Sequence, residues 1–133
     1  MRHLATSWHI ALKVLVIFLA STISGCGGAR DETVAGVIVP VPDAMERISG
    51  QGIELSMPGF GGGQAAFQGS MAPDKIIEFY RKEMAARGWQ PGASLLSRGG
   101  MLTYSKDGNN VLLAVGTRDG KSTLSVTVSS SAK

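Results

Sequence analysis

The clearest pattern in the chain lies at its carboxyl end, where Leu124, Val126 and Val128 alternate with Thr123, Ser125, Thr127 and Ser129. Apolar and polar side chains then fall on opposite faces, as in a strand with one dry and one wet side. Two further strand-like runs precede it, residues 101–106 and 110–117. Asp107-Gly108 and Asp119-Gly120 separate the three runs. Each Asp-Gly pair tolerates positive φ and favours a tight hairpin, so these runs predict a three-stranded meander. Between residues 73 and 87 the period lengthens to that of a helix. Ile76, Ile77, Tyr80 and Met84, flanked by Phe79, form one apolar stripe. Pro73 suits the first helical position and Asp74 complements the amino-terminal dipole. Glu78–Lys82 and Glu83–Arg87 have the favourable i,i+4 order, Gly88 supplies a stop, and Trp89 stands where a contact back onto the last turn is common.

Upstream the pattern is less regular. Two short runs, 45–48 and 53–57, flank Ser-Gly-Gln-Gly. In the second, Ile53, Leu55 and Met57 alternate with Glu54 and Ser56, so the pair reads as a hairpin. Residues 58–63 (Pro-Gly-Phe-Gly-Gly-Gly) read as a loop. Residues 64–70 read as a strand with Ala65, Phe67 and Gly69 on one face. Residues 34–41 are apolar but broken by Gly36, Pro40 and Pro42. They fit an edge strand or an extended packing arm equally, and the prolines exclude a central strand. The expected fold is α+β: an antiparallel sheet of about five strands with one helix, about 73–87, packed on one face. A single domain is expected over residues 41–133.

The first 25 residues differ in kind. Arg2 and Lys13 bracket a polar start, residues 14–20 are strictly apolar, and small or polar residues lead to Cys26. This is the order of a secretory signal. Stretched to Ile23, the apolar run covers only about half of a ~30 Å hydrocarbon core, too little for a spanning helix. Ile23-Ser24-Gly25-Cys26 resembles the bacterial lipobox. The resemblance implies cleavage between Gly25 and Cys26 and diacylglycerol on the Cys26 sulfur. Two or more acyl chains hold a protein stably to a membrane. Gly27 lacks the acidic character that retains such lipoproteins at an inner membrane. In a two-membrane cell the expectation is therefore the outer membrane, facing the periplasm. Residues 26–40 read as the lipidated cysteine and a tether, whose residues 27–33 would reach roughly 15 Å if flexible.

Processing changes the composition. Removing residues 1–25 from 133 leaves 108, and the 13 basic residues become 11 against 10 acidic. The formal charge of +3 thus gives no nucleic-acid footprint. His3 and His9 leave with the signal, and Cys26 is the one cysteine. No intrachain disulfide, Cys/His metal centre or Ser–His or Cys–His nucleophile can be built from what remains. No cofactor, metal or nucleic acid is expected, and no enzyme activity. Gly61-Gly62-Gly63-Gln64-Ala65-Ala66 fits G-x-G-x-x-A formally, but strand-like residues follow where that motif needs a helix. Asp43, Glu46 and Glu54 lie near one end of the first hairpin, without a spacing that fixes an acid–base pair.

The stretch 73–81 (Pro-Asp-Lys-Ile-Ile-Glu-Phe-Tyr-Arg), closing in Arg87-Gly88-Trp89 and followed by a meander, is similar to a pattern in small uncharacterised bacterial lipoproteins. That resemblance implies a fold and no chemistry. The expected function is a lipid-anchored interaction or scaffolding module of the cell envelope, with an envelope protein as partner. The alternative is a small-ligand or lipid-binding protein using the helix–sheet interface. Candidate contacts are Phe60, in its glycine-rich loop, and Arg81 and Lys82. Acidic neighbours Glu78 and Glu83 also make Arg81, Lys82 and Arg87 a plain solvated helix face.

Overall fold

The structure, a computed structural model, describes residues 28–57 and 60–131. The signal segment, the cleavage site Gly25 and Cys26 lie outside the described residues. The elements run β1 (Ala29–Val34), β2 (Val37–Pro42), β3 (Met45–Met57), β4 (Phe60–Gly69), α1 (Pro73–Ala86), β5 (Gln90–Leu96), β6 (Gly100–Lys106), β7 (Asn109–Arg118) and β8 (Lys121–Ser131). β3 to β8 form one six-stranded sheet in the order β3-β4-β8-β7-β6-β5, and β1 and β2 form a separate ribbon. Every pairing is antiparallel.

The described residues are therefore mostly β, with eight strands among them, and not the α+β domain of about five strands that the pattern suggests. The added strands are those with the weakest apolar signature. β5 is exposed along its whole length, and β1 exposes alternate residues, Ala29, Asp31 and Thr33. Both are edge elements: β5 is held by backbone pairing, and β1 buries a single side chain, Val34, at its end. Residues 29–34, which the sequence places in the tether, form β1. Residues 37–42 take the edge-strand alternative. β2 pairs only with β1, which leaves Pro40 and Pro42 room without a ladder donor.

The expected hairpin over 45–57 is also corrected. β3 is one strand, and both halves pair with β4: Arg47 opposite Phe67, Gly52 opposite Ala65. Residues 48–51 oppose only Ala66, which makes a bulge, with Gly50 at φ 77°. Of the expected 58–63 loop, Phe60 to Gly63 belong to β4, and residues 58–59 lie outside the described residues.

The core lies on one face of the sheet. Register aligns Leu102, Leu113, Val126 and Ala65 in one row and Val115, Leu124 and Phe67 in another. α1 lies over this face with Ile76, Tyr80 and Met84 fully buried. The helix ends as its sequence implies. Gly88 has φ 79°, its N–H donates to the Ala85 carbonyl, and the Trp89 N–H donates to the Met84 carbonyl at 3.0 Å. These two hydrogen bonds satisfy the Ala85 and Met84 carbonyls and fold Trp89 into the core, 6% exposed. α1 packs toward β5, β6 and β7, and β1 toward β4 and β8. Helix and ribbon thus share one face of the sheet.

Small residues on β4 let the ribbon in. A Cβ on Gly63 would stand 2.9 Å from the Ala35 Cβ and 2.9 Å from the Ile53 carbonyl. Val34, Val39 and Val41 fill the space above. Ion pairs fix the ribbon's position. Glu32 receives Arg30 at 2.9 Å and Arg47 at 3.3 Å, and Asp31 receives Arg87 of the helix end at 2.7 Å. Arg47 also stacks over Phe67, 6.0 Å from the ring centroid.

Candidate functional site: the uncovered sheet face

No described element covers the other face of the six-stranded sheet. Its composition follows from strand alternation, since residues between buried ones point the opposite way. Three rows can be read from the register. Leu95, Met101, Ala114, Ser125 and Ala66 form the first. Thr103, Leu112, Thr127, Gln64 and Ile53 form the second. Ser105, Asn110, Ser129, Gly62 and Leu55 form the third. None of these residues is Asp, Glu, Lys or Arg. A soluble surface normally carries about a quarter to a third charged residues. Apolar side chains mark both flanks of the face. Ile53 and Leu55 are 68% and 51% exposed on β3, and Leu95 is 69% exposed on β5. Polar groups bond to one another in the middle, where the Gln64 Nε2 donates to the Ser125 hydroxyl at 2.7 Å.

Charge returns at the ends: Asp107 stands in the β6–β7 turn at one, and a larger group stands at the other. Arg118 and Lys121 pair across the β7–β8 turn, and Glu46 sits opposite Gln68 at the β3 edge. There the β3 bulge and the β7–β8 hairpin bound a groove of about 740 Å³, lined by Gln51, Gln64, Ala66, Thr123, Ser125 and Lys121 among others.

The residues singled out from sequence are not brought together. Phe60 is in β4, opposite Met57 and Ser131, so it does not stand on a loop tip; its side chain lies outside the described part. Arg81 and Lys82 are exposed on the helix, on the other side of the sheet. Arg87 is held by Asp31 and Glu83, and Glu78 turns to Lys75 at 3.1 Å. The carboxylates are separated too. Glu46 faces the bare side with Gln68, while Glu54 lies opposite Gly63 on the ribbon side and accepts from the Ala35 N–H at 3.3 Å. Asp43 sits in the β2–β3 turn. Residues 61–66 continue as strand, so the glycines meet no helix. Among the described residues, no three His, Cys, Asp or Glu side chains cluster as metal ligands would.

The helix–sheet interface is filled by side chains, with Phe67, Tyr80, Met84 and Leu113 fully buried. Its polar anomaly is the Tyr80 hydroxyl, buried with no hydrogen-bond partner among the described residues. Burial pushes its pKa far up, against the opposing pull of the Arg30 charge. Tyr104 is raised by burial as well, with Arg81 opposing.

These features define a two-layer, mostly β domain in which, among the described residues, one sheet face is covered and the other is not. The chain belongs to the START domain-like family, whose model matches residues 53–133, from the second half of β3 to the end of the chain. No curated protein and no solved structure matches it.

Proposed function

We propose that this protein is a lipid-anchored, non-catalytic binding module of the cell envelope, and that the uncovered face of its six-stranded sheet is the surface that meets a partner protein. The charge-free rows are the observation that carries this reading. Interface centres are depleted in charge, and a large exposed patch of this kind usually marks a contact. Size favours a protein partner. At ~4.8 Å between strands and ~3.4 Å per residue, the three rows cover roughly 24 Å by 20 Å. That is on the order of 480 Å², in the range of a small, transient interface, below the ~800 Å² each partner contributes to a standard one. The anchor is supported by the lipobox-like 23–26 segment.

Crosslinking in living cells with the tagged, acylated protein tests both parts. The control Cys26→Ser should lose the membrane, and Ala114→Glu should lose the partner while staying on the membrane. A partner retained by Ala114→Glu would refute the assignment of the face.

A second reading has its own support. Membership of the START domain-like family is compatible with ligand binding, and the groove beside Lys121 could take a small amphipathic molecule. The filled helix–sheet interface points such a ligand to this groove. Native mass spectrometry would then show a bound mass in the wild type that Ala66→Trp abolishes. Apo protein in both would remove this reading.

A further inference from the structure

We infer that the end of the sheet where the chain enters the domain lies directly against the bilayer, with no tether between. The inference rests on the anchor reading above, that is, on acylation of Cys26. The Asp43 N–H donates to the Gly28 carbonyl at 2.9 Å, which pins the first described residue to the β2–β3 turn. Cys26 is two residues earlier, and two residues span at most about 7 Å. The polar stretch that would have spaced the domain from the membrane is instead consumed by β1.

Register shows which other parts share that end. Met45 pairs with Gly69, Gly69 with Ser122, and Ser122 with Thr117. The β2–β3 turn, the connection from β4 to α1 and the β7–β8 turn therefore lie side by side. The β6–β7 turn at Asp107-Gly108 is at the opposite end, bonded to Ser131. Along β7, Thr117 and Asn110 are seven residues apart, roughly 24 Å at ~3.4 Å per residue.

The near end offers phospholipid headgroups charged contacts of both signs and one exposed apolar side chain. Arg118 and Lys121 flank one turn, Arg98 stands on the neighbouring β5–β6 turn, and Leu96 beside it is 46% exposed. None of these three cations is in an ion pair among the described residues. Asp43, Glu46, Asp74 and Asp119 lie at the same end, so its net charge is not positive; the acyl chains supply the affinity, and headgroup contacts of both signs orient the domain. Weak contacts suffice for that, because the anchor holds them at high local concentration. With strands rising from the membrane, the charge-free face is turned sideways, open to a neighbour in the same envelope layer.

The test uses the full chain, expressed with acylation and purified from membranes into phosphatidylcholine vesicles with or without phosphatidylglycerol. Thr117→Cys and Asn110→Cys each add one free thiol at an exposed site for a fluorophore, quenched by headgroup-nitroxide lipid. The expected result is several-fold stronger quenching at 117 than at 110, with phosphatidylglycerol or without it. Equal quenching, or stronger quenching at 110, overturns the seating. The intact mass of the same preparation separates the two failures. Absence of acyl mass on Cys26 removes the anchor reading and the seating with it, whereas acyl mass with equal quenching removes the seating alone.

Discussion

Gly63 lies directly beneath Ala35, so close that a Cβ on the glycine would come within 2.9 Å of the alanine Cβ. Ala35 itself turns the ribbon with φ 48°, a left-handed conformation costly for a residue with a side chain. The docking of the β1–β2 ribbon depends on this contact. Gly63→Ala should lower stability by about 1–3 kcal/mol, the usual cost of overpacking. Ala35→Gly should relieve left-handed strain and make the same Gly63→Ala change cheaper, without removing its cost, because the Ile53 carbonyl remains 2.9 Å away. Urea unfolding of the two single variants and the double variant measures this coupling.

Tyr80 carries a buried hydroxyl without a partner among the described residues. Tyr80→Phe should be neutral or stabilising by about 1 kcal/mol, since it removes a desolvated group that makes no bond. The pH dependence has a definite sign. The Tyr80 pKa is raised by folding, so its contribution is fully present below the unfolded value of about 10 and fades as pH climbs above it. Wild type should lose stability above pH ~10. Tyr80→Phe should lose less, keeping only the part due to Tyr104, which is raised in the same direction. Thermal melts of both proteins through the alkaline range give the comparison.

Glu32 joins Arg30 and Arg47, and through them the ribbon to β3. The arginine side chains are about a third or more exposed, at 34% and 43%. Solvent screening therefore limits the expected loss for Glu32→Gln to about 1 kcal/mol or less. The loss should shrink in high salt. A destabilisation independent of salt would mean that packing, and not charge, holds the ribbon.

The elements legible in sequence were those whose residues report their own burial. The helix was marked by Pro73, the Ile76–Tyr80–Met84 stripe and Gly88-Trp89, and its observed bounds are Pro73–Ala86. The meander was marked by Leu124, Val126 and Val128 and by two Asp-Gly turns, with Asp107 and Asp119 both at φ 51°. β5 was invisible because an edge strand needs only backbone partners, and Gln90 to Leu96 bury nothing. The bulge in β3 imitated a hairpin, since Ser49-Gly50-Gln51-Gly52 is turn chemistry wherever it occurs. The bare face was hidden for another reason. Ala66, Ala114 and Ser125 are unremarkable singly, and their lack of charge becomes a signal only when the register aligns them. The outward positions of each strand could have been compared for charge, but a correct strand order was needed to see that they adjoin.

The face assignment is tested most directly by site-specific photocrosslinking in cells. A photoreactive phenylalanine analogue would replace Thr127, in the middle of the bare face, and in a separate strain Glu78, on the exposed side of α1. Both sites are at the surface and neither change should disturb stability by more than about 0.5 kcal/mol. A discrete adduct from position 127 and none from position 78 is the predicted result. An adduct from position 78 with none from 127 would place the partner on the helix side and contradict the account.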